Sequence, residues 1–88
     1  MLKIHRTSLF KKDYKRAIKN GRQIELLQEV IITLINKKSL PLKNRDHGLS
    51  GNYSDYRECH IQPDWLLIYK FNEETLFLTR TGSHSDLF

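Results

Sequence analysis

Residues 53–81, YSDYRECHIQPDWLLIYKFNEETLFLTRT, decide the fold. Trp65 to Phe71 is nearly continuous apolar, as expected of a central strand. Pro63 has no N–H to give a ladder, so Gln62-Pro63-Asp64 reads as a turn or a bulge. Tyr53 to Ile61 then becomes the preceding strand. Asn72-Glu73-Glu74 reads as a hairpin loop and Thr75 to Thr81 as the last strand. Upstream, Lys43 to Gly51 is a polar, glycine-containing loop, and Leu40-Pro41-Leu42 ends a helical region. A helix from about Arg22 to Asn36 repeats Ile24, Leu27, Val30, Ile31 and Leu34 at helical spacing. Before it, Phe10, Tyr14, Ala17 and Ile18 share one face of a helix that Thr7 or Ser8 can cap, with Asn20-Gly21 as its stop. Leu2 to Arg6 alternates and reads as a first strand. The expectation is an α+β domain over residues 1–88, in the order β-α-α-β-β-β. A small antiparallel sheet carries a helical hairpin packed on one face. The other face stays open, partly covered by residues 43–51 and the tail 82–88.

The chain has 88 residues, one cysteine and a net charge of +5. That length holds one core. A single cysteine excludes an internal disulfide and a zinc-finger framework. The longest apolar run, Trp65 to Tyr69, is far too short to cross a membrane, and residues 1–6 show no secretion signal. A cytoplasmic protein is expected. Charge is unevenly spread. Residues 1–45 carry 12 of the 15 Lys and Arg and three acids, a net +9, whereas residues 46–88 carry a net −4. A basic surface of that density attracts a polyanion, either nucleic acid or an acidic protein.

Three of the four histidines, His47, His60 and His84, lie in the strand half, in three segments that can meet at one edge of the open face. Asp64 and Arg80 lie at neighbouring strand ends. Histidine moves protons near neutral pH, and arginine is the best rigid donor to phosphate oxygens. Together these groups suit phosphodiester chemistry. Each alone also has a structural reading: Arg80 as a salt-bridge partner, Asp64 as a turn former, Trp65, Tyr69 and Cys59 as core, Glu58 as the partner of a nearby base. There is no HExxH, CxxC, phosphate-binding glycine loop or nucleophile elbow.

Asp46-His47-Gly48-Leu49-Ser50-Gly51, the stretch Tyr56 to Tyr69, and Arg80-Thr81-Gly82-Ser83-His84-Ser85-Asp86-Leu87-Phe88 resemble the C-terminal half of the YafQ-type toxins of the RelE/ParE toxin–antitoxin superfamily. The pattern, DHxLxG, YRxxHxxPDWxLIY and RTGxHxxLF, spans nearly all of residues 46–88. Position 48, often proline in that family, is Gly48 here. The resemblance implies a RelE/ParE-like fold and a ribosome-dependent endoribonuclease that cuts translated mRNA without a cofactor or metal. It also implies an acidic, DinJ-type ribbon-helix-helix antitoxin as partner, with operator DNA engaged only through that antitoxin. The family's functional positions fall on His47, His60, Asp64, Trp65, Arg80, His84 and Phe88.

In such a reaction the ribose 2′-hydroxyl attacks its own 3′-phosphate. Arg80 is expected at the non-bridging oxygens and His84 as general acid at the leaving 5′-oxygen. The base is Asp64 or His60. His47 contacts or orients the phosphate or the 2′-hydroxyl, while Trp65 and Phe88 stack on or wall in a base. Competing readings are a non-catalytic, ParE-like inhibitor of a topoisomerase, a metal-dependent nuclease using His47, His60, Asp64 and His84, and a basic binding module only.

Overall fold

The computed structural model describes residues 1–88. The elements run β1 (Lys3–Arg6), α1 (Ser8–Lys19), α2 (Ile24–Ile35), β2 (His47–Gly48), β3 (Arg57–Gln62), β4 (Trp65–Phe71), β5 (Thr75–Gly82) and α3 (His84–Leu87). Thr7 caps α1, accepting from the Phe10 amide at 2.9 Å, and its own hydroxyl donates to the Thr79 carbonyl at 2.7 Å. One side chain thus starts the helix and ties it to β5. Gly21 ends the turn after α1 with φ of +76°, a conformation cheap only for glycine.

The β-α-α-β-β-β order and the helical hairpin on one face hold. Pairing differs from expectation at the first strand. The sheet order is β1-β5-β4-β3-β2, and β1 runs parallel to β5 while every other pair is antiparallel. The sheet is therefore mixed: the helices and the loop after them carry the chain to the opposite edge at β2, and the strands that follow step back across the sheet until β5 lies beside β1. Two further corrections concern ends. The loop 43–51 contains the two-residue strand β2, and residues 51–53 form a tight helical turn, so the next strand starts at Arg57 rather than Tyr53. The tail contains α3, closed by a capping box between Ser83 and Asp86.

Phe10 and Ala17 of α1 and Leu27, Val30 and Leu34 of α2 pack with Cys59, Ile61, Trp65, Leu67, Tyr69, Leu76 and Leu78 of the sheet. Burial of this kind contributes about 25 cal/mol per Å² of apolar surface and dominates the stability of a small domain. Alternation then sends Leu66 and Ile68 to the opposite face, where they too are buried. Both faces of β4 are covered, which explains its unbroken apolar run.

Register sets up the second face. Ile68 pairs with Arg80 but Tyr69 pairs with Leu78, so Thr79 is an extra residue in β5. Such a bulge reverses which face the following side chains take. Leu78 stays with the core, and Arg80 joins Ile68 on the face away from the helices.

Candidate active site

Two adjacent rows cross that face. His47, Glu58, Ile68 and Arg80 lie in register across β2, β3, β4 and β5. His60, Leu66 and Gly82 form the next row, and His84 follows two residues beyond Gly82. The three histidines expected to meet do so. The His47 and His60 ring centres are 6.5 Å apart and those of His60 and His84 are 5.8 Å apart.

Local chemistry holds each group. Gly82 lets α3 fold tightly against the end of β5, because a Cβ there would sit 3.0 Å from the Asp86 side chain. The Asp86 carboxylate accepts from the Ser83 amide at 2.9 Å, and this bond holds it ionised below its ordinary range. His84 opens the resulting helix. Asp64, in the turn between β3 and β4, accepts from the His84 amide at 3.0 Å and from its Nδ1 at 2.7 Å. The amide bond, then the ring bond, hold the Asp64 carboxyl below its ordinary pKa. Nδ1–H of His84 is committed to a carboxylate, and its Nε2 has no protein partner.

His60 differs. Its Nδ1 faces the Pro63 carbonyl at 3.2 Å, a neutral acceptor, and its Nε2 is likewise unbonded. Of the two groups left open as the base, Asp64 pairs with His84, because the turn brings its carboxylate to the start of α3. His47 turns both nitrogens to the protein, Nδ1 to the Arg45 carbonyl at 2.7 Å and Nε2 to Glu58 at 3.1 Å. Arg45 adopts the left-handed conformation, with φ of +47°, which directs its carbonyl and the chain into β2. Asp46, next to His47, accepts from the Tyr69 hydroxyl and from Nε and Nη2 of Arg57, both at 3.3 Å. That anchor fixes the short strand carrying His47. Burial first, and then the bond to Asp46, keep the Tyr69 phenol protonated.

Arg80 donates from Nε to Asp13 at 2.7 Å and from Nη2 at 3.1 Å. The Asp13 bond raises the guanidinium pKa still further. Phe88, at the end of α3, is 66% exposed and close in sequence to His84.

Trp65 is the correction. It is fully buried in the helix-side core, its indole N–H donates to Thr81 Oγ1 at 2.9 Å, and the Arg22 guanidinium lies 5.1 Å from its ring centre. Its ring has no free face for a base to stack on, because alternation places it with Leu67 and Tyr69, opposite to the histidines.

Sequence reasoning missed Asp13 and Asp46, and it left Glu58 without a named partner. Asp13 carried a signal: it falls in the apolar stripe of α1, between Phe10 and Ala17, on an otherwise basic helix. No three His, Cys, Asp or Glu side chains converge as a ligand set for a metal. A groove on the molecule is lined by Leu34, Lys38, Leu42, Tyr69 and Phe71 and by none of the histidines.

Residues 2–88 match the family model described as the bacterial toxin of type II toxin–antitoxin systems, YafQ. The mRNA interferase toxin YafQ of Escherichia coli K12 is 40% identical over 80 residues, covering 90% of this chain and 87% of that protein. Among solved structures, a metal-bound toxin from Helicobacter pylori superposes with a TM-score of 0.94 at 47% identity, covering 100% of both chains. A copper-bound mutant toxin from the same organism gives 0.96 at 43%, again over 100% of both. A structure of the E. coli DinJ–YafQ complex gives 0.92 at 37%, covering 100% of this chain and 99% of the other. With nearly the whole chain matched in sequence and in backbone, it belongs to the YafQ family of bacterial toxins of type II toxin–antitoxin systems.

Proposed function

We propose that this chain is an mRNA interferase, an endoribonuclease that cuts translated mRNA on the ribosome through attack of a ribose 2′-hydroxyl on its own 3′-phosphate. The observation that carries the reading is a pair of neighbouring imidazoles with free Nε2 atoms, His60 and His84, beside the row holding Arg80.

The partners divide the labour. With Nδ1–H turned to the Pro63 carbonyl, neutral His60 carries its lone pair on Nε2, the form that accepts the 2′ proton. Asp64 is held ionised and engaged by His84, so it is a poor base. Its role is to orient His84, whose Nε2–H protonates the departing 5′-oxygen. As the O2′–P bond forms and the P–O5′ bond breaks, Arg80 takes the charge on the non-bridging oxygens. The products are a 2′,3′-cyclic phosphate and a 5′-hydroxyl, and solvent returns the two rings to their starting protonation. Acid or base help is typically worth about 10²–10⁴-fold, and fixed charge at the phosphate a comparable factor. His47, held through Nδ1 by the Arg45 carbonyl and through Nε2 by Glu58, lines the site beside the phosphate, and exposed Phe88 walls in a base.

Lys11, Lys12, Lys15, Arg16 and Lys19 are exposed along α1 and grip ribosomal RNA. A DinJ-type ribbon-helix-helix antitoxin neutralises the toxin and supplies the contact with operator DNA. Its acidic segment complements the net +9 of residues 1–45. The site of action is the cytoplasm; no helix is long and apolar enough to cross a membrane.

Primer extension on cellular mRNA after induced expression tests the reaction. Cleavage ends should appear with the wild type and disappear with His84→Ala. Full cleavage by both His84→Ala and Arg80→Ala, or cutting at a 2′-deoxy position, would overturn the reading.

A further inference from the structure

Asp13 is 4% exposed, a rare setting for a carboxylate in so small a domain. It accepts four bonds: from Arg80 Nε at 2.7 Å and Nη2 at 3.1 Å, from Arg16 Nη2 at 3.0 Å, and from the Thr81 amide at 3.1 Å. The last bond explains why it is there. β1 pairs with β5 only as far as Leu78, so the Thr81 amide lies past the end of the partner strand. Thr7 takes the carbonyl of Thr79, and Asp13, one and a half turns further along α1, takes that amide. A neutral acceptor would have closed the edge. A buried charge is costly unless it is paired, and here the pairing is with the arginine one residue before Thr81.

We propose that Asp13 is a positioning residue for the reaction: its carboxylate, fixed by the β5 backbone, holds the Arg80 guanidinium through Nε and Nη2 so that the unbonded Nη1 edge meets the scissile phosphate. The inference rests on the role assigned to Arg80 above. A fork of two N–H···O bonds sets the plane of the guanidinium, which a single contact would not. Arg16 supplies a second positive charge to the cluster. One carboxylate against two guanidiniums leaves a net positive charge, so the attraction for phosphate survives the pairing. Arg80 is therefore preorganised on its far side by a helix and on its near side by the bulge at Thr79.

Single-turnover cleavage of mRNA on purified ribosomes, with Arg80→Ala, Asp13→Asn and the double variant, tests this. Arg80→Ala should slow cleavage by ~10²–10³-fold. Asp13→Asn should slow it by ~10–10²-fold, the scale expected of a small misplacement, while the double variant should be no slower than Arg80→Ala alone. Factors that multiply in the double variant would mean a general structural role and overturn the proposal. So would Asp13→Asn at the wild-type rate or faster. Full activity of Arg80→Ala would instead remove the reading of Arg80 itself. A measurement on the unaltered protein covers poor folding of Asp13→Asn. In proton–nitrogen NMR spectra titrated with inorganic phosphate, Arg80 Nε–H should stay protected from water while the other guanidinium signals shift. Release of Nε–H on phosphate binding would show that Arg80 leaves Asp13, and would overturn the proposal as well.

Discussion

The two faces of the sheet use side chains in opposite ways. Toward the helices, Trp65, Leu67 and Tyr69 of β4 sit among Phe10, Leu27 and Cys59, held by close packing, with a hydrogen bond only at the polar tips of Trp65 and Tyr69. On the other face, His47, His60, Arg80 and His84 are held by polar partners: Glu58 and the Arg45 carbonyl for His47, then the Pro63 carbonyl, Asp13 and Asp64 in turn. One face converts apolar area into stability. The other converts partner choice into chemistry, because the atom left unbonded defines what each group can do. Asp64 and Trp65 are adjacent in the chain and serve different faces. Substitutions should therefore separate cleanly into those that move activity and those that move stability.

The largest separation is expected at His84. Its side chain is exposed, so His84→Ala should leave the thermal midpoint almost unchanged while cleavage falls by ~10²–10⁴-fold. A large drop in the midpoint would show that the open face carries stability too.

Asp64→Asn comes next. It keeps a hydrogen-bonding side chain in the turn but loses the charged partner of His84, and cleavage should fall by ~10–10²-fold. Its pH signature has a definite sign. A carboxyl held below its unfolded value contributes stability above about pH 3.9, and the contribution is lost as pH falls through the lower folded value. Urea midpoints at pH 6 and pH 3 should thus converge more in Asp64→Asn than in the wild type. An unchanged difference between the two would mean that Asp64 is not tied to His84 in solution.

Much of this division was legible in the sequence, and the failures have particular causes. The central strand was visible because both of its faces are buried, and the turn at Pro63-Asp64 because proline cannot extend a ladder. The parallel pairing of β1 with β5 was not, since a four-residue strand carries no mark of which neighbour it will take 70 residues later. α3 had a signal, Ser83 and Asp86 at capping-box spacing, hidden by its four-residue length. Meeting of the three histidines followed from counting strand ends. The face of Arg80 did not, because it depends on the bulge at Thr79, and a bulge exists only in relation to the strand it pairs with. Trp65 shows the opposite error. Motif resemblance pointed to substrate, while simple alternation with Leu67 and Tyr69 placed it in the core.

Trp65→Phe sharpens that last point. The substitution keeps an aromatic ring but removes the indole N–H that bonds Thr81. Leaving the Thr81 hydroxyl without this donor should cost about 1–2 kcal/mol of stability in chemical denaturation, with cleavage near the wild-type rate at a temperature where the variant is folded. A loss of cleavage as large as that of His84→Ala, with stability intact, would return Trp65 to the substrate side.

Cys59 and His60 give the smallest effect and the most local form of the comparison, since they are consecutive residues of β3 on opposite faces. Burial pushes the Cys59 thiol up to about 12 from an ordinary 9.0, so the native protein at neutral pH holds almost no thiolate. An acid whose pKa is raised by folding adds no pH dependence at neutrality. Its stabilising contribution is complete below the unfolded value and is lost as pH rises through the interval toward 12. Iodoacetamide should therefore leave folded protein unlabelled at pH 8 and label it rapidly in denaturant, while diethylpyrocarbonate modifies His60 in the folded state. Ready alkylation of Cys59 in the native protein would mean that the helix-covered face opens to solvent. The contrast between a face that is packed and a face that is partnered would then fail at its centre.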